Sequence, residues 1–341
     1  MSDVRPRGTL ASTMNSVERV ECVLAGRLPD RPPFSFWCHF AADCVWGQRA
    51  VEAHMAHVEA FGVDFLKVMN DNGFPSPAAV NDVRDLRAVG RPRGDEPEFA
   101  RQLELLMALR SRLGRRMLMI TTVFNAWSVL RQMIRRPAVH RPPVLDAAAD
   151  EPSAIIRGML RQDEALVSNA LERISEALAG FVRRCLAAGA DGIFLSVRDD
   201  WVEPPASPRG VYERLVRATD LHILRAAEAA RFNMLHICGR AADFSAFARY
   251  PVHAINWADR AAGPSISEVA GRTGPALCAG VDNLETLPRG RPEDVEREVA
   301  DAVSQAGRRP IIIAPGCTYD PDAVPRENLL AIRRAAERAR Y

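Results

Sequence analysis

The sequence predicts a (β/α)8 barrel preceded by a short helical extension. Three features carry that prediction. Eight short runs rich in Val, Ile, Leu and Phe recur along the 341 residues. Few of them alternate apolar with polar residues, a pattern that suits strands covered on both faces of a parallel sheet. Longer stretches of helical periodicity separate them, and such strand–helix alternation is the signature of a barrel. A doubly wound open sheet is the competing arrangement.

The predicted strands are 33–38, 64–69, 117–124, 192–197, 233–238, 252–257, 276–281 and 310–315. A helix over 16–25 precedes the first and forms the extension, about residues 1–30 of a single domain spanning 1–341. Helices follow at 48–61, 98–113, 165–187, 211–230, 292–306 and 328–340. Leucines 103, 105, 106, 109 and 113 mostly share one apolar face of the second of these. Pro292, Glu293 and Asp294 make a good helix start, because proline is tolerated in the first turn and acids suit the positive dipole end. Two irregular excursions are expected, at 135–152 with four prolines and at 199–208.

Composition narrows the function classes. Apolar residues make up 48% and charged residues 26%, an ordinary globular balance that excludes a mostly disordered chain. The net charge of +2 and the lack of a basic stripe argue against a nucleic-acid partner. No apolar run reaches the roughly 18 residues of a membrane span, and the N-terminal MSDVRPRGTL has no signal-peptide stretch. A cytoplasmic protein is the expectation. The seven cysteines then read as core residues, metal ligands or catalytic thiols before disulfides. Lys67 stands alone as the only lysine among 45 basic residues.

Chemistry-bearing residues collect at predicted strand C-termini, where barrels build their active sites. His236 and Cys238 end the fifth strand, two residues apart, so their side chains share a face. Asn256 and Asp259 mark the end of the sixth, Asp282 the seventh and Cys317 the eighth. One imidazole and two thiolates are a good three-ligand set for zinc with an open fourth place. That place could take a thiol substrate, with Asp259 as a fourth ligand in its absence. A His-x-Cys pair also arises by chance, and buried cysteine is an ordinary core residue.

On these residues the chain resembles the uroporphyrinogen decarboxylase superfamily. The likeness runs through RVECVLAGRLPDR (19–31), GADGIFLS (189–196) and LHICG (235–239). It is strongest in AGVDN (279–283), PEDVEREVADAV (292–303), IIIAPGCTYDP (311–321) and VPRENLLAIRRAAER (324–338). The superfamily has a decarboxylase branch and a branch of zinc-dependent, corrinoid-linked methyltransferases, including the methylcobamide:coenzyme M enzymes. In the latter a His-x-Cys pair and a later Cys hold zinc, at positions matching His236, Cys238 and Cys317. Cobalamin-independent methionine synthase is similar in ligand order, and its acidic ligand falls near Asp259. The decarboxylases grip substrate carboxylates through Arg-Gln-x-Gly-Arg after the first strand. Here FWCHFAADCVWGQ (36–48) has no arginine before Arg49, and Gly316-Cys317 replaces their Gly-His pair.

The resemblance therefore implies zinc-dependent methyl transfer between a methylated corrinoid, or another donor, and an activated thiol. Asp71, in MNDNGF after the second strand, matches the family's acid at that place and is a candidate catalytic residue together with Asp282. Asp282 and Asn283 could orient ligands, or cap the following helix. Lys67, Asn72, His39 and Trp37 are candidate substrate contacts near the mouth. Trp46, Phe74, Phe124 and Trp127 could wall a planar substrate, although packing is the commoner role. The spacing of Cys38, His39 and Cys44 fits no standard zinc site, and His54 and His57 are expected to be exposed. Asp220 and His222 imitate a corrinoid-binding motif that needs glycine where Arg225 stands, so they read as helix surface. A corrinoid would then arrive on a partner protein or free, and a homodimer is a further expectation. Two alternatives remain. One is a metal-free porphyrinogen-type decarboxylase using Asp71. The other is a non-catalytic zinc barrel that docks a corrinoid protein.

Overall fold

The computed structural model describes residues 14–75, 79–134, 151–198, 210–239 and 244–341. Seven parallel strands form one sheet in chain order: β1 (Phe65–Val68), β2 (Leu118–Phe124), β3 (Gly192–Arg198), β4 (Met234–Cys238), β5 (Ala254–Trp257), β6 (Ala276–Val281) and β7 (Ile311–Pro315). Each matches a predicted run to within two residues at either end.

The eight-strand expectation is corrected at the first run. Residues 33–38 make only isolated bridges, Phe34 with Ile313 and Cys38 with Tyr319. They still touch both edge strands. Ser35 N donates to Ile313 O at 3.1 Å, and Asp64 N donates to Phe34 O at 2.9 Å. The local chemistry explains the irregularity. Pro32 and Pro33 have no N–H to give a ladder, and the N–H of Phe34 goes to the Asp64 carboxylate at 3.0 Å.

Helices precede, connect and follow the strands: α1 (Ser16–Leu24), α2 (Gly47–Phe61), α3 (Pro97–Leu113), α4 (Ala126–Ile134), α5 (Glu151–Gln162), α6 (Glu164–Ala187), α7 (Ala218–Arg225), α8 (Ile266–Val269), α9 (Thr286–Arg289), α10 (Pro292–Ala306) and α11 (Arg326–Arg338). Asn15 caps α1 reciprocally with Glu18, satisfying two free backbone donors. The helix predicted over 211–230 is instead a π-helical turn, Tyr212–Arg217, running into α7. It ends in tighter turns, with Ala226 N on Ile223 O at 3.1 Å. Helices α4 and α5 were not foreseen, and α5 begins at the end of the expected excursion 135–152. The remainder of that excursion and all of 199–208 lie outside the described residues. Between β4 and β5 the described chain makes only a short 3-10 turn, Phe244–Ala246.

The apolar runs fill two layers. Phe65, Ile120, Phe194, Met234, Cys278 and Ile312 share one buried cluster with α1. Their neighbours along the strands, among them Leu66, Met119, Leu195, Leu235 and Leu277, join the larger cluster under the helices. Both faces of the sheet are therefore covered, as its unbroken apolar runs imply. A charged cluster locks the N-terminal ends of the strands. Asp64 is wholly buried and accepts from Arg19 Nη1 at 2.8 Å and from Arg31 at 2.8 and 3.0 Å. Arg19 also bonds Asp30, so α1 and the 30–34 segment are pinned to the start of β1. No described helix is long and apolar enough to cross a membrane.

Candidate metal centre and active site

Parallel register carries three side chains able to ligate a soft metal to the C-terminal end of the sheet. His236 and Cys238 lie at the end of β4, and Cys317 lies two residues past β7. Their ligand atoms all fall within 4.8 Å of one another, with Cys317 Sγ 3.6 Å from His236 Nε2. Among the described residues this is the one group of three or more His, Cys, Asp or Glu side chains close enough to share a metal ion.

The orientation of His236 is set from β5. Asn256, wholly buried and aligned with His236 across the ladder, donates its amide to Cys278 O at 2.8 Å and Pro315 O at 3.0 Å. Its Oδ1 is left to accept from His236 Nδ1 at 2.6 Å. The imidazole proton is thereby placed on Nδ1, and the Nε2 lone pair faces Cys317. This second partner fits the three-ligand set to a metal. An Asn256→Leu variant should bind zinc 10–100-fold more weakly in competition with a chelator while keeping its fold.

The two thiols form a coupled pair. Their hydrogen bond pulls Cys317 below the usual thiol range and pushes Cys238 above it. The Arg198 guanidinium lies 3.8 Å from Cys238 Sγ, a cation beside a prospective thiolate. The loop of Cys317 is braced twice. Gly316 packs so close that an added Cβ would fall 2.5 Å from Ala258 Cα, and Asn283 Nδ2 donates to Thr318 O at 3.2 Å.

Other candidates separate. Asp259 stands outside the metal group: Oδ1 accepts from Gly280 N at 3.0 Å and Oδ2 lies 3.3 Å from Arg260. Burial pushes its carboxyl up to about 6. Asp282 caps the turn after β6, accepting from Leu284 N at 2.8 Å and Glu285 N at 3.3 Å. Asn72 donates to Gln102 Oε1 at 2.9 Å, which ties the loop after β1 to α3.

Asp71 and His39 come together at the end of β1, with His39 Nδ1 2.9 Å from Asp71 Oδ1. Beneath them Lys67 Nζ is buried. It meets the Met69 thioether at 2.8 Å and lies 4.7 Å from the Phe194 ring centroid and 5.8 Å from that of Trp37. Phe194 also stacks on His236, with ring centroids 5.0 Å apart. Burial pushes Lys67 down to about 8, against the opposing pull of Asp71, Cys317 and Cys38. Trp37 is thus part of the buried floor, against Phe194 at 5.2 Å.

Trp127 is core, Phe74 and Phe124 are half-buried against it, and Trp46 is exposed with Arg101 over its ring. Cys38 is buried and Cys44 half-buried, and they join no ligand group among the described residues. His54 and His57 are buried, contrary to expectation. His54 is held between Ala50 O at 2.7 Å and Met69 N at 3.2 Å, and His57 contacts Phe36 O at 3.0 Å. Asp220 is also buried rather than on the surface, held by Tyr250 at 2.8 Å and Asn125 at 3.0 Å, whereas His222 is exposed. Asn256 and Asn283 stand out in the sequence at strand ends, but the bracing role of Asn256 does not. Arg198 and Phe194 carry no such sign within the run of β3. A polar residue inside the apolar run AINW was the available sign for Asn256.

Seven parallel strands in chain order, with helices between them, define an α/β fold of the barrel-like kind. The uroporphyrinogen decarboxylase (URO-D) family model matches residues 51–339, and the chain belongs to that family. Among solved structures it is similar to a methyltransferase from Methanosarcina mazei, at 16% identity and a TM-score of 0.72, over 95% of this chain and 98% of that one. A B12-independent methionine synthase from Shewanella sp. W3-18-1 matches at 11% identity and a TM-score of 0.46, over 69% and 65%. No curated protein gives a significant sequence match.

Proposed function

We propose that this chain is a zinc-dependent methyltransferase, with His236, Cys238 and Cys317 as the protein ligands. The observation that carries this is the ligand cluster within 4.8 Å, with its imidazole turned by Asn256 to offer Nε2. Zinc bound there supplies a Lewis acid that lowers the pKa of a thiol and keeps it nucleophilic at neutral pH. The protein's own groups do the rest. Asn256 fixes the imidazole, Arg198 offsets negative charge at Cys238, and the buried floor of Trp37, Lys67 and Phe194 excludes water from beneath the site.

The methyl donor in this proposal is a methylated corrinoid carried by a separate protein. Family membership and the methyltransferase neighbour support methyl transfer as the reaction class. Porphyrinogen decarboxylation is less well supported. Arg49, the first arginine after the 33–38 segment, is exposed on α2 and paired with Asp43.

The test is transfer from free methylcobalamin to mercaptoethanol, followed by the loss of methylcobalamin absorbance. Zinc-loaded wild type should turn over, and Cys317→Ser should fall to the uncatalysed rate. Equal rates in the two proteins would refute the proposal.

A further inference from the structure

We propose that His39, oriented by Asp71, is the general base that takes the proton of the acceptor thiol. This rests on the methyl-transfer proposal above and assigns a further catalytic residue within it. The contact of His39 Nδ1 with Asp71 Oδ1 at 2.9 Å puts the neutral ring's proton on Nδ1, pointing at the carboxylate. Nε2 then carries the lone pair. Among the described residues it has no hydrogen-bond partner, and the His39 side chain is 26% exposed, so a proton taken there can pass to solvent. A base held by a third group that steadies its charged form is the general arrangement for activating a nucleophile.

The pair lies at the same C-terminal end of the sheet as the three candidate ligands. Trp37 O accepts from Tyr319 N at 3.2 Å, and Cys38 bridges Tyr319, so the strip that ends in His39 runs along the loop that carries Cys317. Lys67, four residues before Asp71, lies 4.7 Å from the Phe194 ring, which itself stacks on His236 at 5.0 Å.

Asp71 is its direct partner, and Lys67 lies below. Burial pushes the neighbouring Cys38 thiol up to about 11 and keeps it neutral, with Asp320 adding to the rise. Burial also pushes His54 and His57 on α2 down to about 4, so both are neutral as well. Asp43 faces Arg49 at the surface. In the step, the thiol S–H bond breaks and an N–H bond forms at Nε2, with the electron pair left on sulfur. Sulfur then bonds the methyl carbon as the donor's carbon–cobalt bond breaks and leaves its pair on cobalt. The imidazolium, held by Asp71, returns its proton to water.

The experiment compares wild type, His39→Gln and Asp71→Asn, each loaded to the same measured zinc content, with free methylcobalamin as donor. Mercaptoethanol, protonated at neutral pH, and para-nitrothiophenol, already ionised there, are the two acceptors. His39→Gln should slow transfer to mercaptoethanol by about 10²-fold or more and leave transfer to para-nitrothiophenol nearly unchanged. The deficit with mercaptoethanol should shrink as pH rises toward its own pKa. Nitrogen NMR of the metal-free protein should show His39 protonated at Nδ1, and Asp71→Asn should weaken that preference.

An equal deficit with both thiols, no deficit, or an Nε2-protonated His39 would overturn the assignment. A zinc-loaded wild type inactive with both thiols would overturn the methyl-transfer proposal and this role with it. An active wild type with an unaffected His39→Gln would overturn this role alone.

Discussion

Replacing Asp64 by alanine is expected to cost about 3–5 kcal/mol of folding stability, the usual loss when one partner of a buried ion pair is removed. Asp64 is wholly buried and receives three guanidinium bonds from Arg19 and Arg31, besides the N–H of Phe34. The variant leaves the Arg31 guanidinium without its acid and Arg19 with Asp30 alone, and orphans a backbone donor at the irregular 33–38 segment. Urea unfolding followed by circular dichroism measures the loss. A change below about 1 kcal/mol would mean that water already screens the cluster.

At the other end of the same strand the sign reverses. Lys67→Met is expected to stabilise the fold by about 3 kcal/mol at neutral pH. Burial takes the Lys67 ammonium from 10.5 down to about 8, and each pKa unit is worth about 1.36 kcal/mol. Between those two values the unfolded chain binds the proton that the folded chain has released, so wild-type stability rises with pH across that window. The penalty is fully present below about pH 8 and gone above about 10.5. The gain in the methionine variant should therefore fade over the same range, as unfolding curves at a series of pH values would show. A variant less stable than wild type at neutral pH would mean that the ring contacts to Phe194 and Trp37 outweigh desolvation.

Seven strands were legible because continuous apolar runs report burial on both faces, whatever lies next to them. The first run was misjudged because its pairing depends on atoms elsewhere: two prolines remove donors, and Asp64 captures the N–H of Phe34. The nearness of His236, Cys238 and Cys317 was legible because each falls at or just past a strand end, where local pattern alone places it at the mouth. The role of Asn256 was not, because it rests on alignment with His236 across a ladder between strands twenty residues apart in sequence. His54, His57 and Asp220 were misplaced for a related reason. Helical periodicity counts them as polar and hence outward, yet each finds its partner on another element or within its own helix, which makes burial tolerable. The joining of His39 to Asp71 likewise needed two segments brought side by side across the edge of the sheet.

The central claim is that His236, Cys238 and Cys317 form one zinc site. The direct measurement is the metal content of wild type beside Cys317→Ser, each purified without added metal and then reconstituted with zinc and dialysed. The account predicts about one zinc per wild-type chain and its loss in the variant. A wild type that holds no zinc after reconstitution, or a Cys317→Ser protein that holds it as tightly as wild type, would contradict it.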